Sequence, residues 1–166
     1  MKSRQTLLIP SFVMALFVFL FFPQLARAAN FTVNSTSDTV DAAPGNGVCA
    51  DAGGQCSLRA AILEANTLNG DDTITLAATT YLLSLTGAGE DDGQSGDLDV
   101  TAGKLTLVGA GNNGAITSIL DGAGLDRVLD LHSDSNVILR RIAITGGADP
   151  DPLGSDFDKG QGGGGI

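Results

Sequence analysis

The stretch Ser57-Leu-Arg-Ala-Ala-Ile-Leu-Glu-Ala-Asn-Thr-Leu68 is the part of the sequence that decides the fold. Its apolar residues recur at intervals of three and four, which places them on one face of a helix. These residues are Leu58, Ala61, Ile62, Ala65 and Leu68. Ser57 can serve as the N-cap and Asn69-Gly70 as the stop. The pattern therefore predicts an amphipathic helix over residues 57–69, the one convincing helix after residue 28.

Short strands separated by polar turns follow this helix. Apolar and polar residues alternate over brief stretches, and Gly, Asp and Asn stand between the stretches. The apolar positions are Ile74 and Leu76, the run Tyr81 to Leu85, Leu98 and Val100, Leu105 and Leu107, Ile119, Leu129 and Leu131, Val137 and Leu139, and Ile142 and Ile144. Strands of this kind, in a chain with 23 glycines among 166 residues, predict an all-β fold with many turns.

The phase of the last two strands predicts a corner between them. The apolar residues of 137–139 have odd numbers, whereas those of 142–144 have even numbers. Because side chains alternate faces along a strand, one straight strand cannot point all of them inward. A bend at Arg140-Arg141, with both arginines facing water, removes the conflict. Such corners are typical of a coil of parallel β-strands.

A weak internal repeat favours the same coil. Leu105-Thr-Leu-Val-Gly109 resembles Ile142-Ala-Ile-Thr-Gly146, and each segment ends in a glycine turn. Self-similar segments are typical of solenoids, which bury a core only when several turns stack. A sandwich of antiparallel hairpins fits the alternation as well. The amphipathic helix favours the solenoid, because the first turn of a solenoid exposes a strand edge that a helix can cover.

The first 28 residues have the features of a secretory signal peptide. Lys2 and Arg4 precede an almost wholly apolar run from Leu7 to Phe22, and Ala26-Arg27-Ala28 fits the small-x-small cleavage pattern. The alternative is an uncleaved membrane anchor, but the run is shorter than the about 20 residues that span a bilayer. We therefore expect cleavage after Ala28, no membrane span in the remaining chain, and a secreted or cell-surface location.

The charge of the chain excludes some classes of partner. Nine basic and 19 acidic residues give a formal charge of −10. The charged residues that cleavage after Ala28 would remove are all basic, so the remaining chain is more negative still. A protein that binds nucleic acid by neutralising phosphates needs a basic surface, so we expect no nucleic-acid partner. The same charge disfavours docking on anionic lipid. An acidic exported surface suits solubility and the binding of divalent cations.

Cys49 and Cys56 are the two cysteines of the chain. In an oxidising compartment we expect them to form a disulfide that closes the loop between them, which Gly53-Gly54 can bend. Two free thiols, or half of a four-ligand zinc site, are the alternatives. The sequence has one histidine, so two sulfurs and one imidazole would leave a structural zinc shell incomplete.

The segment Cys56-Ser-Leu-Arg-Ala-Ala-Ile62 resembles the CSLREA motif, which marks the N-terminus of a family of exported bacterial proteins with parallel β-helix repeats. Further segments resemble the same family in the same order, over about residues 30–166. They are Asp72–Leu76, Tyr81-Leu82, Glu90–Asp92, Gly96–Asp99, Leu105–Gly111, Ile119–Gly122, Asp126–Val128 and Gly162–Ile166. The resemblance implies a right-handed parallel β-helix (a solenoid) with an N-terminal amphipathic capping helix.

We expect the chain to have three parts. Residues 1–28 are expected to be the signal peptide, residues 29–70 an N-terminal cap with the cysteine loop and the helix, and residues 71–166 turns of the β-helix. In the family, Ser-Leu-Arg-Glu forms a capping box, but Ala60 stands here in place of the glutamate, so half of the box is missing. In the family, a glycine run such as Gly162–Ile166 leads into further turns of the β-helix, so we expect this chain to be truncated at its C-terminus.

Two groups of side chains are candidates for chemistry. The acidic stretch after the second predicted strand can coordinate calcium, although it matches neither the EF-hand spacing nor the calcium-binding nonapeptide. Its candidate ligands are Glu90, Asp91, Asp92, Asp97 and Asp99. The alternative is a solvated turn. The one histidine, His132, lies in a predicted turn, and we expect an exposed loop side chain there. No cofactor other than calcium is predicted.

The sequence predicts a function only in broad terms. The first hypothesis is a β-helix scaffold or adhesin-like protein, whose partner is an extracellular polysaccharide or another surface molecule. The second is a carbohydrate-active lyase or hydrolase, since such enzymes often use the same coil, with its groove on turns beyond Ile166. Arg127, Arg140 and Arg141 are candidate bases or substrate clamps. No spacing singles out a catalytic pair, and fold similarity alone does not establish function.

Overall fold

The computed structural model describes residues 28–148, except Asn69, Ala102, Asn112 and Asn113. Within these residues the chain forms one helix and nine strands. The elements in chain order are β1 (Asn30–Thr32), α1 (Leu58–Thr67), β2 (Asp71–Thr75), β3 (Thr80–Leu82), β4 (Leu98–Val100), β5 (Gly103–Val108), β6 (Ser118–Asp121), β7 (Leu129–Leu131), β8 (Ser135–Arg140) and β9 (Ile142–Thr145). The predicted signal peptide up to Arg27 and the glycine run at 162–166 lie outside the described residues.

The nine strands form three sheets in which every pairing is parallel. The first sheet has the order β1-β2-β5-β8, the second β3-β6-β9 and the third β4-β7. From β2 onward the chain therefore visits the three sheets in a fixed order and then returns to the first. The prediction of an all-β fold is confirmed, and the parallel pairings do not fit a sandwich of antiparallel hairpins.

Apolar side chains stack across neighbouring strands to form the core. In the first sheet Phe31, Ile74, Leu107 and Leu139 occupy one register position on four successive strands. The first three side chains are buried, and Leu139 is half-buried against the same cluster. Burying a side chain of this size contributes about 1.5–3 kcal/mol, so such stacks are the main support of the fold.

The predicted corner at Arg140-Arg141 is confirmed. β8 ends at Arg140 and β9 begins at Ile142, and the two strands belong to different sheets. Arg141 adopts a φ of 54°, a left-handed conformation that residues other than glycine seldom take. Both arginines are exposed. The apolar residues of both strands pack against the core cluster, in agreement with their opposite phases.

Helix α1 begins after Ser57, whose Oγ accepts a hydrogen bond from the N–H of Ala60 at 3.0 Å. The predicted N-cap is therefore confirmed, whereas the helix ends two residues before the predicted end at 69. Burial extends beyond the apolar face that the sequence predicts, because all of residues 58–65 are buried. The polar side of α1, with Arg59 and Glu64, bonds to the chain around residues 38–47 and 93–97, which covers it.

Helix α1 also covers the open edge of β4. Asn66 donates from Nδ2 to the carbonyl of Asp99 at 2.8 Å, and its Oδ1 accepts from the N–H of Thr101 at 3.1 Å. Two turns earlier, Arg59 donates to carbonyls at 2.7–3.2 Å in the segment 93–97, which leads into β4. The unpaired backbone groups of an edge strand attract other chains, so this cover protects the third sheet.

Cys49 and Cys56 form a disulfide, with their Cα atoms 5.1 Å apart. The prediction of this bond is confirmed, and neither of its alternatives, two free thiols or half of a zinc site, is realised. The bond holds the loop 49–56 directly before the helix N-cap. The described part of the chain contains no helix with the length and apolar character that crossing a membrane requires.

Candidate metal centre

The third sheet brings two acidic side chains from distant parts of the sequence next to each other. β4 and β7 pair in parallel, with Leu98 opposite Leu129 and Asp99 opposite Asp130. Because side chains alternate along a strand, the leucines point into the core and the aspartates to the other side of the sheet. Neighbouring strands lie about 4.8 Å apart, so the backbone pairing alone holds the two carboxylates close together.

The loop between β3 and β4 covers this acidic side of the sheet. Gly93 in the loop has a φ of 71°, and a Cβ built there would lie 3.6 Å from Cβ of Asp99 and 3.3 Å from Cδ2 of Leu63. The loop therefore passes directly over Asp99, which is 0 % exposed. A side chain at position 93 would need a strained backbone, and its Cβ would press closely against Leu63.

Asp97, one of the predicted calcium ligands, forms a buried ion pair with Arg127. Its Oδ2 accepts a hydrogen bond from Nε of Arg127 at 2.8 Å. Nη2 of the same arginine lies 3.4 Å from Oδ2 of Asp130. Burial raises the pKa of Asp97, and the attraction of Arg127 offsets only part of that effect. The neighbouring Asp126 accepts from the N–H of Gly89 at 2.9 Å, which ties the covering loop to the segment before β7.

Four side chains beside this ion pair form a group that we call the Asp–His cluster. One ligand atom from each of Asp91, Asp99, Asp130 and His132 lies within 4.8 Å of those of the other three. Nε2 of His132 is 3.3 Å from Oδ1 of Asp99 and 3.9 Å from Oδ2 of Asp130. Asp91 is exposed, Asp130 and His132 are half-buried and Asp99 is buried, so the cluster reaches from the surface into the protein.

The negative charge inside the Asp–His cluster is not fully compensated. Burial, and after it the charge of Asp97, raise the pKa of Asp99 to about 7, and the hydrogen bond with His132 opposes them only in part. Oδ2 of Asp99 is buried and accepts no hydrogen bond from any residue that the structure describes. A buried carboxylate oxygen without a partner is costly, so a cation is the ligand that fits this arrangement.

Two of the five predicted calcium ligands, Glu90 and Asp92, interact within the loop between β3 and β4 and do not join the Asp–His cluster. Glu90 accepts hydrogen bonds from the N–H of Asp92 at 3.1 Å and from the N–H of Ser95 at 2.8 Å. Burial, and after it the carboxyl of Asp92, raise the pKa of Glu90. Of the acidic stretch, the structure therefore brings only Asp91 and Asp99 into the cluster.

Asp130 and His132 complete the cluster and are not among the ligands that the sequence predicts. The available signal is the repeated apolar-Asp-apolar pattern of residues 98–100 and 129–131, which superimposes the aspartates once the strands pair in register. The histidine follows the end of β7 directly. Its side chain is 30 % exposed and contacts Asp99, so the expectation of a simple exposed loop histidine needs correction.

Comparisons of the chain with protein-family models, with curated proteins and with solved structures find no match. Its function is therefore inferred from its own residues. Two features carry that inference: the order in which the strands enter the three sheets, and the Asp–His cluster on the outer side of the third sheet.

Proposed function

We propose that this chain is a segment of an exported, right-handed parallel β-helix protein that serves as a scaffold outside the cell or at its surface. The observation that carries the proposal is the strand order. The chain visits three parallel sheets in turn, and each return places a strand in register beside its predecessor. Stacked turns with short connections produce this order. Right-handed winding is the general preference of parallel crossover connections.

The N-terminal elements suit the role of a cap on such a coil. Helix α1 covers the edge of β4, and its side chains Arg59 and Asn66 bond the backbone there. These contacts also give a physical reason for the part of the CSLREA motif that the chain retains. Ser57 caps the helix, and Arg59 joins it to the segment that leads into β4. They support the proposal that the chain is related to the exported bacterial proteins with that motif.

Export is supported by features in two parts of the chain. Residues 1–28 combine a basic start, an apolar run and a small-x-small site. The Cys49–Cys56 disulfide is the second feature, since such bonds persist mainly in oxidising compartments outside the cytosol. A secreted or surface-attached scaffold agrees with both, and its partner would be an extracellular polysaccharide or another surface molecule.

The contact between Ala29 and Asp72 supports cleavage after Ala28. The backbone nitrogen of Ala29 donates to Oδ1 of Asp72 at 2.7 Å, and Asp72 is only 3 % exposed. Cleavage after Ala28 would convert this nitrogen into an ammonium group, which would neutralise the buried carboxylate. The bond would then be charge-assisted, and such bonds are about twice as strong as neutral ones.

An enzyme acting on polysaccharides is the alternative, and the described residues support it less. Asp97 and Asp99 are both 0 % exposed, so a substrate has no access to either carboxylate. Arg127 is buried beside Asp97, whereas Arg140 and Arg141 stand at an exposed corner. These carboxyl groups and the candidate arginines are therefore not assembled in one accessible groove. Catalysis of this kind needs two accessible carboxyl groups, or a base and a cation, around the scissile bond.

Export is tested by expressing the chain in a bacterium and sequencing the N-terminus of the product outside the cytoplasm. We expect the product to begin at Ala29. The variant Leu16→Arg interrupts the apolar run and should remain in the cytoplasm, whereas the matched control Leu16→Ile should be exported. Recovery of the wild-type chain in the cytoplasm with residues 1–28 attached would contradict export.

The scaffold role is tested against the enzyme alternative with the purified protein. Acidic and neutral polysaccharides are incubated with it, and the reducing and unsaturated ends that appear are measured over time. We expect no release above the level of the boiled protein. Release of either kind of end would overturn the scaffold proposal in favour of the enzyme.

A further inference from the structure

We propose that the Asp–His cluster, formed by Asp91, Asp99, Asp130 and His132, binds one divalent first-row transition cation, with Zn²⁺ preferred. The proposal goes beyond the scaffold role and does not depend on export. It rests on the contacts among β4, β7 and the loop that covers them. The experiment that tests it is therefore separate from those on export and on polysaccharides.

Two independent observations carry the proposal. The first is the convergence of three carboxylates and one imidazole, whose ligand atoms lie within 4.8 Å of one another. The second is the state of Asp99, which is 0 % exposed, faces His132 with Oδ1, and has no hydrogen-bond partner for Oδ2 among the described residues. A solvated acidic turn would expose its carboxylates to water, whereas here one oxygen of a buried carboxylate is left without a hydrogen-bond donor among the described residues.

The backbone fixes the inner ligands before any cation arrives. Asp99 and Asp130 are held by the pairing of β4 with β7. The N–H of His132 donates to the carbonyl of Val100 at 3.1 Å, and its carbonyl accepts from Oγ of Ser135 at 2.7 Å. Sites on strands whose backbone is fixed in this way lose little entropy on binding, which favours affinity.

The neighbouring arginine supports the cluster from behind. Arg127 pairs with Asp97 at 2.8 Å and lies 3.4 Å from Oδ2 of Asp130. It therefore compensates the charge of Asp97 and orients Asp130, whereas the contact of Asp99 within the cluster is with His132. Groups that orient the ligands of a metal in this way commonly change its affinity by about 10–100-fold when they are removed.

The mixture of ligands decides between the possible cations. Calcium, for which the sequence offers candidate ligands, takes about six to eight oxygen ligands at about 2.3–2.6 Å. The Asp–His cluster offers three carboxylates and an imidazole nitrogen, and imidazole suits zinc, copper, iron and nickel. Donor atoms around four-coordinate Zn²⁺ lie about 3.4 Å apart. Asp91 is exposed, so its side chain can rotate toward a bound ion.

The test is isothermal titration calorimetry of the purified protein, after removal of metal with a chelator, with Zn²⁺, Mn²⁺ and Ca²⁺ in separate runs. We expect one Zn²⁺ per chain, with an affinity at least tenfold higher than that for Mn²⁺. The affinity for Ca²⁺ should be lower than that for Mn²⁺. Co²⁺ bound at the same site, with the imidazole of His132 as one ligand, should produce visible absorption bands. The Tm of the protein should rise with Zn²⁺ concentration.

Two ligand variants and two matched controls locate the site. Asp99→Asn and His132→Asn should each lower Zn²⁺ affinity at least tenfold. Asp92→Asn in the same loop and Asp134→Asn near the histidine are exposed and outside the cluster, so they should bind as the wild type does. Asp99→Asn removes a buried charge, and we expect it to fold, as its Tm without metal will show.

Three outcomes would overturn the proposal. The first is the absence of stoichiometric binding by the folded wild-type protein. The second is binding of Ca²⁺ in preference to Zn²⁺, which would point to an oxygen site. The third is unchanged Zn²⁺ affinity in a folded Asp99→Asn or His132→Asn variant, which would place the ion elsewhere on the acidic surface.

Discussion

The Nε atom of Arg59 lies 2.6 Å from Oδ1 of Asp38, and the two side chains are only 1 % and 2 % exposed. This buried ion pair joins helix α1 to the loop that follows β1. Asp38 also accepts hydrogen bonds from the N–H groups of Ser84 and Leu85, and Arg59 donates to the carbonyl of Asp97. One pair of charges therefore connects the helix to the N-terminal loop and to the segments after β3 and before β4.

Removing the arginine of this pair should destabilise the protein strongly. Arg59→Met keeps most of the side-chain volume but leaves the Asp38 carboxylate and several carbonyls without their donor. We expect the free energy of unfolding in urea to fall by about 3–5 kcal/mol, the usual cost of breaking a buried ion pair. The control Arg140→Met changes an exposed arginine and should cost about 0.5 kcal/mol or less. Equal effects of the two variants would contradict this role.

The Asp38 carboxylate should make the stability of the fold sensitive to acid. Burial alone would raise the pKa of Asp38, but hydrogen bonds from Arg59, Ser84 and Leu85 outweigh it, so the pKa lies below its usual value. The stability that this group contributes is present above the pKa of an unfolded aspartate, about 3.9. It is lost as the pH falls through the lower pKa of the folded state.

Comparison of the wild type with Asp38→Asn measures this contribution. We expect the variant to be less stable at pH 7 and at pH 5, and the difference in unfolding free energy to shrink as the pH is lowered below 4. Asp134→Asn, an exposed control, should follow the wild type at every pH. A difference between wild type and Asp38→Asn that stays constant from pH 7 to pH 3 would show that the carboxylate does not titrate as described.

A second charged side chain of the helix holds the loop before the disulfide. Glu64 is 0 % exposed and accepts hydrogen bonds from the backbone N–H groups of Gly45 and Gly47. In Glu64→Gln one of these N–H groups would face an amide donor, at a cost of about 1–3 kcal/mol. We expect the amide protons of both glycines to exchange faster in this variant, while those of Ile74 and Leu107 in the sheet serve as an internal control. Unchanged exchange at both glycines would refute the contact.

The disulfide should contribute to stability by restricting the unfolded chain. Cys49 and Cys56 are separated by seven positions, and closing a loop of this size contributes about 2–3 kcal/mol. We expect the double variant Cys49→Ser/Cys56→Ser to unfold at a lower urea concentration than the wild type. A reducing agent should lower the Tm of the wild type and leave that of the double variant unchanged. Insensitivity of the wild type to reduction would mean that the bond does not form.

Much of the fold follows from apolar spacing in the sequence. The spacing in residues 58–68 predicts the helix, and the opposite phases of residues 137–139 and 142–144 predict the corner at Arg140-Arg141. Both predictions succeed because they depend on which side chains must leave water, a property that the local sequence encodes. The exact end of the helix depends on contacts of the last turn with the rest of the chain, and the sequence places it less well.

The candidate site depends on pairings that the local sequence does not encode. Asp99 and Asp130 meet because β4 pairs with β7 in one particular register, and a shift by one residue would send the aspartates to opposite faces. The burial of Arg59 and Glu64 cannot be predicted from the local sequence for a similar reason. Their partners are mostly backbone groups of distant loops, and backbone groups leave no signature in the composition of a sequence.

The central claim is that successive strands of each sheet stack in parallel register, and backbone nuclear Overhauser contacts test it most directly. In the first sheet Thr73, Thr106 and Ile138 occupy one register position on β2, β5 and β8. We expect amide and α-proton contacts of the parallel type between Thr73 and Thr106, and again between Thr106 and Ile138. Strong contacts between α-protons on facing strands, which are typical of antiparallel pairs, would contradict the stacking and with it the proposed β-helix.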